Sequence, residues 1–196
     1  GFQFLFALIL FVSCSTQKTD FSQREQDFDS GWKFNLGDVS SAESATFDDS
    51  QWRTLDLPHD WSIEDLPATE GKKQIGPFSE DSPGKGATGN VMGGTGWYRK
   101  SFTLCKSSEG KKVQILFDGV YMNSEVWING QSLGIHPYGY TSFYYDLTPH
   151  LKPSGVPNIL AVKVNNKGKN SRWYSGSGIY RHVNLIVTGK VHIPVW

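Results

Sequence analysis

Arg172, Trp173 and Tyr174 are three adjacent side chains whose chemistry suits the binding of a polar, ring-shaped ligand. The guanidinium group of arginine presents a planar fork of N–H donors that can bind hydroxyl or carboxylate groups. The Trp173 and Tyr174 rings have flat apolar faces that can stack on the C–H face of a pyranose. Gly176 and Gly178 follow, and glycine lets a backbone turn sharply and approach a ligand closely. The alternative, which the sequence leaves open, is that the two rings pack beneath a neighbouring loop.

Three pairs of adjacent acidic residues, at positions 48–49, 64–65 and 80–81, are the other groups that could do chemistry. Adjacent residues on an extended chain point to opposite sides, so such a pair does not bring two carboxyl groups together. We therefore interpret all three pairs as solvated turns rather than as a catalytic acid and base.

The composition limits both the partners and the size of the fold. The 196 residues include 19 lysines and arginines against 19 aspartates and glutamates, so nothing favours a polyanionic partner such as nucleic acid. Aromatic residues make up 14% of the chain, which suits a β-rich fold and also a protein that stacks its rings on sugars. The length suits one large all-β domain and is short for a second full domain.

Residues 1–12 form an apolar run with the length of the hydrophobic part of a signal peptide. Ser13 and Cys14 follow, and a small residue before a cysteine resembles the cleavage site of a bacterial lipoprotein. We predict a lipoprotein-type signal peptide over 1–14, with Cys14 as the lipidated residue, and a tether over 15–25. The protein would then be exported, either to the periplasm or to a membrane that it binds by lipid, in a Gram-negative bacterium. The alternative is a buried N-terminal strand.

Short strand patterns follow one another along most of the chain. Apolar and polar residues alternate with the period of a half-buried strand in four segments, at 113–118, 125–128, 160–164 and 183–187. Further strands are expected at 97–104 and 141–146. Asn129 and Gly130 tolerate the positive φ of a type I′ turn, so they predict a tight hairpin. The whole pattern predicts an all-β sandwich or barrel.

A long segment rich in glycine and proline, 60–96, interrupts this pattern. A segment of this length without a regular apolar period is either functional or disordered. The apolar residues that can anchor it are Trp61, Ile63, Phe78 and Met92. We interpret Asp60 as accepting backbone N–H groups in a structural turn. We therefore predict an ordered loop with a functional role.

Five segments of the chain occur together, and in the same order, in one known family. They are DSGWKFNLGD at 29–38, QWRTLDLPHDWSIE at 51–64, GTGWYRKSF at 94–102, FDGVYMNSEVWINGQSLGIHPYGYTSFYYDLT at 117–148 and SGSGIYRHVNL at 175–185. Together they resemble the N-terminal sugar-binding domain of glycoside hydrolase family 2, which includes β-galactosidases, β-glucuronidases and β-mannosidases. The resemblance implies a jelly-roll, galactose-binding-like β-sandwich over 26–188. Residues 189–196 would then start the connection to a second domain.

In this family the two catalytic glutamates of a retaining hydrolase lie in a (β/α)8 barrel that follows an immunoglobulin-like domain. The resemblance thus implies the N-terminal part of an exo-glycosidase, first of all a β-galactosidase, which needs no cofactor. Its partners would be those two domains and a carbohydrate with a terminal β-linked sugar, and the chain alone is expected to be inactive. β-Glucuronide and β-mannoside substrates, a stand-alone carbohydrate-binding lipoprotein and a structural role in a homo-oligomer stay open as alternatives.

The resemblance also bears on the residues that face the sugar. Arg172 stands where several relatives carry an aspartate that contacts the terminal sugar directly or through sodium. Arginine does not bind sodium, so no metal site is carried over, and its guanidinium suits the carboxylate of an acidic sugar. Relatives also bring a polar residue to the sugar from the segment that corresponds to 60–96, where Asp81 and Asn90 are the candidates. The predicted substrate-binding residues are therefore Arg172, Trp173, Tyr174, Asp81 and Asn90, and no catalytic residue is expected in this chain.

Overall fold

The computed structural model describes residues 24–67, 70–71, 73–168 and 175–195 of the chain. Twelve β-strands and four short 3-10 helices lie in these ranges. The strands are β1 (Glu25–Asp27), β2 (Trp32–Leu36), β3 (Arg53–Leu55), β4 (Gln74–Ile75), β5 (Phe78–Ser79), β6 (Gly94–Thr103), β7 (Lys112–Phe117), β8 (Ser124–Ile128), β9 (Gln131–His136), β10 (Phe143–Asp146), β11 (Pro157–Asn166) and β12 (Val183–Thr188). The 3-10 helices are Trp61–Ile63, Lys85–Thr88, Lys106–Ser108 and Thr148–His150.

The predicted signal peptide over 1–14, with Cys14, lies outside the described residues. Within the part of the chain that the structure describes, no helix is long and apolar enough to span a bilayer.

Two sheets of antiparallel strands enclose the core. The four-stranded sheet has the order β1, β12, β7, β10, and the six-stranded sheet has the order β3, β2, β6, β11, β8, β9. Strands β4 and β5 form a separate hairpin within residues 60–93, here called the long loop. The predicted all-β sandwich is confirmed, and the alternating segments of the sequence form its central strands.

The alternation along the strands explains which side chains form the core. On β11, Leu160 and Val162 are fully buried in the cluster between the two sheets. Ala161, on the opposite face of the same strand, packs with Trp97 and Trp127 in a second cluster. The six-stranded sheet therefore buries apolar side chains on both of its faces.

Asn129 and Gly130 connect β8 to β9, as the sequence predicts. Both residues have positive φ, 53° and 84° respectively. The Asn129 side chain accepts a hydrogen bond from the Ile159 N–H at 3.0 Å and donates one to Asn158 Oδ1 at 2.9 Å. The turn thus closes the hairpin and also holds it against β11.

Residues 37–52, here called the first loop, cover the outer cluster of the six-stranded sheet. Arg99 on β6 is buried and holds this loop in place. Its Nε donates to Asp49 Oδ2 at 2.7 Å, and its other nitrogens donate to the backbone carbonyls of Ala42, Ser44 and Phe47. The interpretation of residues 48–49 as a solvated turn is therefore wrong for Asp49, because this carboxylate pairs with a buried cation.

Candidate binding site

The long loop, residues 60–93, lies at the end of the sandwich where β6 begins and β11 ends. Gly94 of β6 pairs with Asn166 of β11, so the two strand ends are adjacent. The segment 175–178, which leads towards β12, lies at the same end. Its residues Ser175 and Ser177 share a small cleft with Gly93 and Asn166. Two stretches that are distant in sequence therefore meet here.

Asp60 joins the start of the long loop to the segment 175–178. Its Oδ1 accepts hydrogen bonds from the Ser62 N–H at 2.9 Å, the Ser62 hydroxyl at 2.5 Å and the Ser177 N–H at 2.8 Å. A Cβ at Gly176 would collide with Oδ2 of the same carboxylate, so glycine is needed for this close approach. The predicted structural role of Asp60 is confirmed.

Trp61 anchors the loop on the core, as predicted. Its side chain is 2% exposed and stacks on Phe34 with the ring centroids 5.7 Å apart. Its indole Nε1 donates to the Gly93 carbonyl at 3.2 Å, which joins the first turn of the loop to its last residue. Its backbone N–H donates to the Ser177 carbonyl at 3.0 Å. The two ends of the loop are thus held together and against the sheet.

His59 lies near Trp61 in sequence and links Tyr98 to Glu64 through polar contacts. Its Nδ1 lies 2.7 Å from the Tyr98 hydroxyl, and its Nε2 lies 2.9 Å from Glu64 Oε1. A neutral ring that donates from Nε2 and accepts at Nδ1 satisfies both contacts. Arg53 also donates to Glu64 Oε1, at 2.6 Å. The Glu64 side chain is 40% exposed, as expected of a solvated turn, but its carboxylate also has two side-chain donors.

The pKa shifts of His59 and Glu64 follow from their burial and their hydrogen bonds. Burial lowers the pKa of His59, although the Glu64 carboxylate opposes the shift. Burial would raise the pKa of Glu64, but hydrogen bonds from Arg53 and His59 outweigh it and hold that pKa below its usual value. Both shifts favour a neutral histidine beside an ionised glutamate.

A groove with a volume of about 410 Å³ opens between the long loop and the segment 175–178. This volume lies in the range of small-molecule sites. Its lining is mostly apolar, with few polar groups: Asp60, Ser62, Ile63, Pro77, Phe78, Gly89, Val91, Ser175 and Gly176. Such a groove can hold a ligand that combines an apolar face with hydroxyl groups.

Two apolar residues of the groove differ from their predicted role. We expected Ile63 and Phe78 to anchor the loop, but their side chains are 71% and 48% exposed. Residue type alone predicted burial, whereas Ile63, at the end of the 3-10 helix that Asp60 caps, and Phe78, in the β4–β5 hairpin, lie outside the core. They are the site residues that sequence reasoning missed.

The predicted substrate-binding residues fall into two groups. Arg172, Trp173 and Tyr174 lie outside the described residues, but they directly precede Ser175, which lines the groove. Their contacts with a ligand stay a prediction.

Asp81 and Asn90 both lie in the long loop. Asn90 has a positive φ of 61° and lies between Gly89 and Val91, which line the groove. Asp81 is exposed in the adjoining turn, where its N–H donates to Ser79 Oγ at 3.1 Å. Their contact with a ligand also stays a prediction.

Within the described ranges, no group of three or more histidine, cysteine, aspartate or glutamate side chains is placed to hold a metal ion.

Comparisons with known proteins identify the family. The family model for the sugar binding domain of glycosyl hydrolases family 2 matches residues 26–189. The chain is 50% identical over 185 residues to the β-galactosidase BoGH2A of Bacteroides ovatus, covering 94% of this chain and 20% of that protein. It is 35% identical over 197 residues to a β-glucuronidase of Formosa agariphila, covering 94% of this chain and 18% of that protein.

A solved structure agrees with these relatives. The crystal structure of a β-glycosidase from Bacteroides vulgatus is 48% identical and superposes with a TM-score of 0.77, over 88% of this chain and 21% of that one. The chain thus spans about a fifth of the length of the proteins that it matches. This chain belongs to glycoside hydrolase family 2, and its residues 26–189 form the sugar-binding domain of that family.

Proposed function

We propose that this chain forms one wall of the terminal-sugar site in a retaining β-galactosidase. The observation that carries the proposal is the groove between the long loop and the segment 175–178. Arg172, Trp173 and Tyr174 immediately precede Ser175, which lines this groove, and we expect their side chains to contact the sugar. The similarity to the β-galactosidase of Bacteroides ovatus favours galactose as the terminal sugar.

The hydrogen bonds of Asp60, which lines the groove, and of Glu64, which follows the lining residue Ile63, support a wall rather than a catalytic centre. Retaining hydrolysis needs two carboxyl groups about 5 Å apart, one as acid and base and one as nucleophile. The Asp60 carboxylate is occupied by Ser62 and Ser177, and the Glu64 carboxylate by Arg53 and His59. We therefore place the two catalytic glutamates in a barrel domain outside this chain, and we expect the chain alone to be inactive.

β-Glucuronides are the second candidate substrates. Arg172 offers a guanidinium fork that matches a carboxylate, the group that distinguishes glucuronic acid from a neutral sugar. The β-glucuronidase of Formosa agariphila is also a relative of this chain. β-Mannosides stay the third option.

A substrate screen of the full-length enzyme tests these choices. We expect nitrophenyl β-galactoside to have a higher kcat/KM than the corresponding glucuronide and mannoside. Replacing Arg172 by alanine should lower kcat/KM about tenfold to a hundredfold, because a charged hydrogen bond to the sugar is lost. Arg172→Lys serves as a control that keeps the charge. An unchanged kcat/KM in Arg172→Ala would instead favour a structural role of the domain, for instance in a homo-oligomer.

A stand-alone carbohydrate-binding lipoprotein is the alternative from another functional class. Calorimetry of the isolated chain with galactosides distinguishes this module from a wall of an enzyme site. A stand-alone module should bind galactosides by itself, whereas a wall that works only in the whole enzyme should bind them weakly. A stop codon shortly after Trp196 in the reading frame would also favour the stand-alone module.

Export as a lipoprotein rests on the sequence of residues 1–14. We propose that Cys14 carries the lipid in the mature protein. Metabolic labelling of cells with a radioactive or clickable palmitate tests this, because label should enter the full-length protein and be absent from the Cys14→Ala variant. Equal labelling of both proteins would exclude Cys14 as the lipidated residue.

A further inference from the structure

The turn between β9 and β10 presents two exposed aromatic rings. Tyr138 and Tyr140, here called the tyrosine pair, are 57% and 56% exposed and flank Gly139. Their ring centroids lie 5.7 Å apart with the planes at 68°. Two large rings are thus displayed side by side at the surface, although burial of such rings is usually favourable.

The turn that carries the tyrosine pair is held by side chains on both sides. The Tyr180 hydroxyl donates to the Gly139 carbonyl at 2.8 Å. A Cβ at Gly139 would collide with the Tyr121 ring, so the turn packs directly on that ring. His136 Nε2 lies 3.1 Å from the Thr141 hydroxyl, which joins the two ends of the turn. The tyrosine pair is therefore displayed in a preorganised position, which lowers the entropy cost of binding a ligand.

Tyr121 connects the tyrosine pair to the groove. Its ring packs edge-on against Tyr140, with the centroids 5.2 Å apart and the planes at 65°. Its phenol interacts with the side chains of both Tyr140 and Ser175, and Ser175 lines the groove. Its backbone pairs with Gly178, with N···O distances of 2.9 and 3.0 Å. The exposed rings thus adjoin the groove through one buried residue.

We propose that Tyr138 and Tyr140 form a second sugar-binding surface, which takes a unit of the glycan beyond the terminal sugar. The two rings offer apolar faces for the C–H side of a pyranose and hydroxyl groups for its polar edge. The tyrosine pair adjoins the groove, and this favours a sugar as its ligand over a surface of another protein. The inference rests on the proposed function, because it assumes that the groove holds the terminal sugar of the same glycan.

Kinetics of the full-length enzyme on short and long substrates test the proposal. The variant is Tyr138→Ala/Tyr140→Ala, and the substrates are nitrophenyl β-galactoside and β-1,4-galactotetraose. We expect kcat/KM on the nitrophenyl substrate to stay within about twofold, and kcat/KM on the tetrasaccharide to fall about tenfold through KM, the loss that corresponds to aromatic contacts. Tyr138→Phe/Tyr140→Phe keeps the rings and should retain most of the activity on the tetrasaccharide. Val156→Ala, at an exposed apolar position at the opposite end of the sandwich, is the control.

The outcomes distinguish a failure of the proposal for the tyrosine pair from a failure of the proposed β-galactosidase function. Equal losses on both substrates would mean that the tyrosine pair holds another part of the protein, and unchanged kinetics on both would mean that no sugar binds there; either result overturns the proposal. If the unmodified enzyme cleaves neither substrate, the proposed β-galactosidase function fails instead. Affinity electrophoresis in gels that contain β-1,4-galactan then decides, because loss of retardation in the alanine variant supports the surface and equal retardation overturns it.

Discussion

The first loop covers the outer face of the six-stranded sheet, whereas the long loop lies at one end of the sandwich, and the two loops differ in how far their apolar side chains are exposed. The first loop buries Ala42 completely over the stacked rings of Trp97 and Trp127, whose centroids lie 5.3 Å apart. The long loop leaves Ile63 and Phe78 largely exposed beside a groove. One loop completes the core of its own domain, and the other keeps a surface open.

The difference follows from where each loop is held. Arg99 reaches the middle of the first loop and binds several of its carbonyl groups at once. The long loop is held at its ends, by Asp60, Trp61 and Gly93. A loop that is fixed at both ends and open in the middle can present side chains to a ligand without unfolding, which is how binding loops on rigid scaffolds work.

Replacing Arg99 by methionine should have the largest effect on stability. The change leaves Asp49 and three backbone carbonyls of the first loop without their buried donor, which should cost about 3–5 kcal/mol of unfolding free energy. Urea denaturation measures the loss, and Lys106→Met serves as a control at an exposed position. A loss similar to that of the control would mean that the first loop does not depend on its cation.

Replacing Asp60 by alanine should cost less, about 1–2 kcal/mol, because one carboxylate and three neutral donors are involved. In the full-length enzyme, the same variant should also raise KM, since the groove loses the contact that joins its two walls. Asp65→Ala, an exposed change in the same loop, is the matched control. A normal KM in Asp60→Ala would show that the groove keeps its shape without this contact.

Acidification should loosen the long loop through His59. Because the pKa of His59 is lowered in the folded state, its contribution to stability is present above the unfolded value of 6.5 and is lost as the pH falls below it. The slope for one proton is at most about 1.4 kcal/mol per pH unit. We expect the unfolding free energy between pH 7.5 and 5.5 to fall less steeply in His59→Gln than in the unmodified chain.

His182 provides an opposite control for that experiment. A hydrogen bond to Asp29 at 2.6 Å raises the pKa of this exposed histidine. Its contribution to stability is therefore present below pH 6.5 and is lost as the pH rises through the raised value. The unfolding free energy of His182→Gln should still fall between pH 7.5 and 5.5. Identical pH profiles for His59→Gln and the unmodified chain would exclude His59 as the source of this loss.

The smallest effect on stability is expected for the exposed side chains of the long loop. Ile63→Ser and Phe78→Ser should change the unfolding free energy by no more than about 0.5 kcal/mol, as is usual for surface positions. In the full-length enzyme both should still weaken substrate binding, seen as a higher KM. A large loss of stability in either variant would remove the contrast between the two loops.

The sequence predicted the framework better than the site. Period-2 alternation predicted the central strands β7, β8, β11 and β12, and Asn129-Gly130 predicted the hairpin, because both signals are local. Asp60 and Trp61 were also assigned the correct roles from residue type. Ile63, Phe78 and Asp49 were assigned the wrong roles, since burial and pairing depend on which distant segment lies opposite.

The sequence by itself therefore determined the central strands β7, β8, β11 and β12, the turn at 129–130 and the family, because these depend on local periodicity and on residues in a fixed order. Only the tertiary structure decided that Asp60 meets Ser177, 117 residues further along the chain. That contact requires the pairing of β6 with β11 and of β12 with β7, which brings the strand ends to one side of the sandwich. The groove exists because backbone hydrogen bonds between distant strands fix the separation of its two walls.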